Sequence, residues 1–187
     1  MCIRDSYYIV GSDQAALDSA NVLSQIFSDC LGDDYVKLNI KTYIKASRSE
    51  VLTPHLHSFA ISGWGADYAD PQNYLGQEMY GYDNAYFSSG YSYINEVVEE
   101  TPENKALLDT YKEYTKMVEE ADSITEDLDA RYEAYAKAEA YLLDHALVVP
   151  CNYKVLWVLS KIDNDSKINT MFGCQTVSYT HLTLPTI

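Results

Sequence analysis

The chain has 187 residues, 47% of them apolar, and carries 13 basic against 28 acidic side chains for a formal charge of -15. That length and apolar content suffice for a packed core and exclude a wholly disordered chain. The acidic balance, with its basic residues scattered, excludes the basic stripe that nucleic acid or an anionic membrane surface requires.

Eighteen tyrosines stand out; a large ring with a polar tip suits wet grooves and half-buried surfaces. The longest apolar runs, Ala146–Pro150 and Val155–Leu159, fall far short of the roughly 18 residues of a spanning helix. The opening MCIRDSYYIV lacks the basic start and long apolar core of a secretory signal.

In chain order, Tyr7–Val10 reads as a short strand closed by Gly11. Ser12 or Asp13 then caps a helix whose apolar stripe is Ala16, Ala20, Leu23, Phe27 and Leu31, with Gly32 placed to end it. Val36, Leu38 and Ile40 alternate with polar residues, which predicts a strand with one wet face. Strand, helix, strand is the pattern of a βαβ unit and a parallel pair. Residues 45–57 are polar and broken by Pro54, a loop or a short helix. Phe59–Ser62 is the next predicted strand, in one sheet with the first two. Residues 73–93, rich in Tyr, Gly and Ser, read as a long surface loop.

Thr101-Pro102 opens a helix with the stripe Leu107, Tyr111, Tyr114 and Val118. Ser123 and Glu126 fit a capping box for a second helix, with Leu128, Tyr132, Tyr135, Leu142 and Ala146 on its buried side. Leu147–Pro150 and Lys154–Ser160 are further strand candidates. The fold class is α/β, one sheet with flanking helices, and the helices after Thr101 are expected to pack on the sheet.

Few residues ask for catalysis. His55 and His57 form H-x-H, but with no Cys or further His nearby a solvent-facing loop is the better reading. His145 sits at a helix end, where a cation suits the dipole. Glu99-Glu100 and Glu119-Glu120 read as solvated faces. No nucleophile motif or glycine-rich phosphate loop occurs, and the spacing of Asp67 and Asp70 is not that of a calcium loop. No enzyme, metal or cofactor is expected. Cys30, Cys151 and Cys174 form no C-x-x-C pair and are read as small buried hydrophobes.

The two ends differ from the rest. MCIRDS (1–6) and the uncharged VSYTHLTLPTI (177–187) resemble translated sequencing-adaptor DNA, which leaves 7–176 as the natural sequence.

The segment GWGADYADPQNYL, Gly63–Leu75, resembles the G-W-x-A-D-x-x-D-P stretch of extracytoplasmic solute-binding proteins that serve peptide ABC importers, the oligopeptide- and dipeptide-binding receptors. RYEAYAKAEAYLLDHALVVPCNY, Arg131–Tyr153, resembles the family's helix-then-strand stretch ending in V-[VI]-P, and WVLSKI to MFG (157–173) is a weaker third match. The resemblance implies part of a two-lobed, periplasmic-binding-protein-like receptor, a monomer outside the cytoplasmic membrane. Its partners would be a peptide ligand and the ABC permease subunits to which it delivers that ligand. The upstream half, with a lipoprotein or secretory signal, would lie before this chain.

By resemblance, Asp67 takes the ligand's α-ammonium, Gly65 offers backbone groups to the peptide main chain, and Trp64 shapes the cleft wall. A receptor tolerant of peptide sequence must grip the termini and backbone that all peptides share. A fixed carboxylate and a glycine supply those contacts. Asp70-Pro71 is expected to be a turn that fixes the loop. Ile61 stands where some oligopeptide-binding members carry an arginine that reaches the ligand carboxylate, which leaves that contact unassigned. A same-fold receptor for nickel, a glycan or a peptide-like signal, and an α/β enzyme fragment, remain open alternatives.

Overall fold

A computed structural model of the chain describes residues 5–97 and 100–151. These fall into two compact units, one built from residues up to 63 and from 80–102, the other from 64–79 and from 103 onward.

The first unit is a βαβ arrangement. Strand β1 (Asp5–Gly11) pairs in parallel with β2 (Lys37–Tyr43), Tyr7 opposite Asn39 and Val10 opposite Thr42. Between them runs α1 (Gln14–Leu31), as the periodicity predicts. Asp13 is its cap, accepting a hydrogen bond from the Ala16 amide at 2.9 Å. Gly32 ends it at φ 80°, a conformation that costs glycine little and any other residue strain. Ala20 is the deepest residue of the stripe, while Leu31, predicted to belong to it, is exposed.

After β2, the Glu50 carboxylate accepts from the amides of Ile44, Lys45 and Ala46 at 2.8–3.1 Å. Those three backbone bonds, Ala46 foremost, lower its pKa from the ordinary carboxylate value. The wide helical turn Arg48–Leu52 then buries Val51 and Leu52.

The predicted third strand does not form. Ser58 meets β1 once, its amide donating to the Tyr7 carbonyl and its hydroxyl accepting from the Tyr7 amide. Phe59 stacks on Tyr8 and on Phe27 of α1, with centroids 4.9 and 6.0 Å away. Beyond it no strand among the described residues pairs with residues 60–62, and Ile61 is exposed. The chain meets the β1 edge at Ser58 and then leaves it, so the apolar run stays irregular.

The second unit is a helical hairpin. α4 (Pro102–Ser123) and α5 (Leu128–Asp144) follow the short helices α2 (Gln72–Leu75) and, in the first unit, α3 (Tyr86–Gly90). Its core joins Leu75 and Met79 to Tyr114, Val118, Ala121, Tyr135, Ala138 and Leu142, so these helices build their core without a strand residue. Residues 73–93 are therefore not a surface loop. Asn73, Leu75, Glu78, Met79, Ala85 and Ser88 are all buried, because short helical turns alternate inward and outward positions.

α4 starts where Thr101-Pro102 predicts, though Leu108 rather than Leu107 is the deeper residue. The capping box at Ser123 and Glu126 is not used. α4 runs through Ser123, whose hydroxyl bonds back to the Glu120 carbonyl, and Asp127 caps α5 by accepting from the Ala130 amide at 2.9 Å. Leu128 and Tyr132 are exposed, as is Ala146, because α5 is phased by Tyr135, Ala138 and Leu142. One turn before Tyr135 that face is occupied by Arg131. Leu147–Pro150 forms no strand, and Lys154–Ser160 lies outside the described residues.

Candidate functional site

The segment Trp64–Asn73 lies within the second unit. Along it, Trp64 is half-buried, Gly65 exposed, Ala66 buried and Asp67 exposed. Successive residues thus point alternately inward and outward. The buried side chain of Asn73 holds them so: its Oδ1 accepts from the Trp64 indole N–H at 3.0 Å and from the Asp67 amide at 2.8 Å. Asn73 is fixed in turn by its own amide on the Asp70 carbonyl and by its carbonyl, which accepts from the Gln77 side chain.

This leaves Asp67 with its backbone tied down and its carboxylate presented outward, without an ion-pair or hydrogen-bond partner among the described residues. A carboxylate that caps its own loop would look different, and Asp70 shows how. Its Oδ1 accepts from the Gln72 amide at 2.9 Å, and it pairs with Arg131 at 3.2 Å. Asp70-Pro71 is the turn the sequence predicts. At Gly65 a Cβ would meet nothing within 4 Å, so the backbone there stands open to approach.

The structure therefore brings Trp64, Gly65 and Asp67 onto one rigid segment. Sequence reasoning missed Asn73, for which no local signal exists: its two acceptor contacts are made at separations of nine and six residues. Asn73→Ala is expected to take the shared acceptor from both donors, costing about 2 kcal/mol. The Trp64 contribution to the emission spectrum should shift to the red with it. An unchanged urea midpoint would show that the bridge contributes nothing.

The remaining candidates are elsewhere in the sequence. His55 and His57 are half-buried rather than solvent-facing. His55 Nε2 lies 3.0 Å from Glu96 and His57 Nε2 3.0 Å from the Tyr91 carbonyl, so each ring serves a separate loop contact. His145 ends α5 as expected, its Nδ1 2.9 Å from the Tyr141 carbonyl. Cys30 and Cys151 are exposed free thiols, not buried hydrophobes, Cys30 off the apolar stripe of α1 and Cys151 in an irregular segment after α5; Cys174 lies outside the described residues. Among the described residues no group of three His, Cys, Asp or Glu side chains is placed to hold a metal ion.

The chain matches no protein-family model. It is similar to the oligopeptide-binding protein SarA of Streptococcus gordonii, 33% identical over 73% of this chain and 20% of that protein. It is similar to the oligopeptide-binding protein AmiA of Streptococcus pneumoniae, 34% identical over 60% of this chain and 16% of the relative. AliB of the same species, also an oligopeptide-binding protein, is 28% identical over 74% of this chain and 21% of its own length. The resemblance read from the sequence is thereby borne out, and the chain spans about a fifth of the length of the curated relatives it matches.

Proposed function

We infer that this chain is a later part of a receptor of the oligopeptide-binding kind, the substrate-binding component of an ABC importer. It would work outside the cytoplasmic membrane, capturing peptides as a monomer and delivering them to the permease subunits without catalysing any reaction. Within the two-lobed receptor, Asp67 would take the α-ammonium of the peptide, Gly65 its main chain, and Trp64 one wall of the cleft.

One observation carries this reading. Asp67 is held by its backbone to a buried asparagine while its carboxylate has no partner among the described residues. A protein gains little by anchoring an exposed charge in this way unless something outside the chain meets it. Trp64, tied to the same Asn73, is half-buried three residues before that charge. A peptide terminus needs both features: a counter-charge, and a surface that excludes water and so strengthens the ion pair.

The test uses a receptor restored to the length of its relatives. Asp67→Asn keeps the shape and removes the charge, and peptides with a free amine are expected to bind at least about 30-fold more weakly. N-acetylated peptides should bind the unaltered receptor poorly and lose little more in the variant, since both changes delete one ion pair. Calorimetry on the four combinations decides it. Equal affinity of free-amine peptides for both receptors would reduce Asp67 to a loop residue.

A further inference from the structure

The first unit contains a cavity of about 250 Å³ between the helical turn Arg48–Leu52 and the segment 83–91. Opposite charges line it, Arg48 from the turn and Asp83 from the loop before α3, together with the side chains of Ser47, Tyr86, Ser89 and Tyr91. The two charges do not close on each other. Arg48 and Asp83 form no ion pair together, and neither has one with any other described residue.

The wall beside them is ordered. Tyr91 Oη accepts from the Ser62 hydroxyl at 2.8 Å and lies 3.0 Å from Tyr86 Oη. The rings of Tyr86, Phe87 and Tyr91 pack against one another with centroids 5.2–5.7 Å apart. Ser89 is tied to the Ala85 carbonyl, which fixes the floor. The Tyr91 hydroxyl keeps its proton above the ordinary phenol range, chiefly because burial disfavours the phenolate, and so stays neutral beside the guanidinium.

We propose that this cavity is a binding site for a compact zwitterion of amino-acid or dipeptide size, its carboxylate on Arg48 and its ammonium on Asp83. Three features select that chemistry. A cation and an anion in one small cavity, each lacking a counter-ion, are complemented together only by a ligand carrying both charges. A planar guanidinium matches a carboxylate in two-point geometry. The volume, below the roughly 300–1,000 Å³ of drug-sized sites, suits a ligand of this size. Both charged residues are exposed, so water screens them and the affinity is modest. The inference uses neither Trp64 nor Asp67 and stands or falls independently of the peptide-receptor reading.

The test is a titration of the full 187-residue chain, labelled with ¹⁵N, by L-alanine and by the dipeptide Ala-Ala, with acetate and methylamine as single-charge controls. At least one zwitterion is expected to give saturable shifts at Arg48, Asp83, Ser89 and Tyr91 in the range of about 1–10 mM. The better of the two identifies a free amino acid or a peptide end as the fitting source. Acetate and methylamine should bind roughly tenfold more weakly or not at all. Arg48→Gln and Asp83→Asn should each lose about tenfold while leaving the spectrum outside the cavity unchanged. The proposal is overturned if neither zwitterion saturates. It is equally overturned if acetate binds as well as the zwitterion, or if both substitutions leave the affinity intact.

Discussion

Replacing Arg131 with methionine is expected to destabilise the helical hairpin by about 3–5 kcal/mol. The Arg131 side chain is only 12% exposed and serves the end of α4 and the Asp70 turn at once. Its Nη1 donates to the carbonyls of Ala121, Asp122 and Ile124 at 2.8–3.2 Å, acceptors that the end of a helix leaves without an intrahelical partner. Its Nη2 reaches both oxygens of Asp70, Oδ1 of Asp122 and the Tyr135 hydroxyl, and the guanidinium lies 4.9 Å from the centre of the Tyr135 ring.

Methionine fills similar space but removes the donor to the Asp122 and Ile124 carbonyls and the cation beside Asp70, while Ala121 keeps the Ile124 amide and Asp70 the Gln72 amide. Lysine keeps the charge and loses the planar fork, so Arg131→Lys should cost about half as much. Asp70→Asn, whose carboxylate is 28% exposed, should cost about 1 kcal/mol. Urea unfolding followed by far-UV circular dichroism ranks the three. A methionine variant within about 1 kcal/mol of the parent would show that the carbonyls find water instead.

The second large effect is a dependence on pH that resides in one side chain. Glu78 is 5% exposed, sits in the turn Gly76–Glu78, and has no cation paired with it among the described residues. Burial pushes its carboxyl up to about 8 from an ordinary value of 4.5. The Tyr114 hydroxyl, which donates to the Leu75 carbonyl at 2.7 Å, is also raised, first by burial and then by the nearby Glu78 charge.

The folded chain thus holds the Glu78 proton over a range in which the unfolded chain has released it. Stability from this group is fully present below about pH 4.5 and falls as pH rises towards about 8, where the folded state also ionises. The total loss is on the order of 3–5 kcal/mol, with little further change above that pH. Glu78→Gln cannot ionise, so it should remove this slope and be the more stable protein at pH 8. Urea midpoints of both proteins at pH 5 and pH 8 make the comparison, and the difference between them cancels the other titrating groups. Parallel pH profiles would show that Glu78 gains water or a counter-ion on ionising.

How much of this was legible before the structure depends on how far apart the deciding residues lie. The span of α1 was legible because its cap, period and stop are local, though not the exposure of Leu31: Asp13 bonds three residues ahead, and Gly32 needs only its own φ. The start of α4 and the parallel β1–β2 pair follow from equally short patterns. The motif Trp64-Gly65-Ala66-Asp67 was recognisable by resemblance, and the Asp70-Pro71 turn by its residue types.

What sequence could not decide were choices made by partners far along the chain. Phe59–Ser62 has the composition of a strand, but the chain meets the β1 edge only at Ser58 and leaves it afterwards. The phase of α5 was misjudged because apolar Leu128 and Tyr132 competed on paper with Arg131. A long charged side chain wins the inward face once six acceptors from α4, the loop after it and Asp70 surround it, and none of these is local to α5. Asn73 and Glu78 read as loop residues, yet the packing of short helices against Tyr114 and Leu142 buries that segment. The sequence by itself determined the three long helices, the parallel pair and the acidic motif. Tertiary structure alone decided which polar side chains were drawn inside, because the cost of burying a polar group depends on partners that only the folded chain brings within reach.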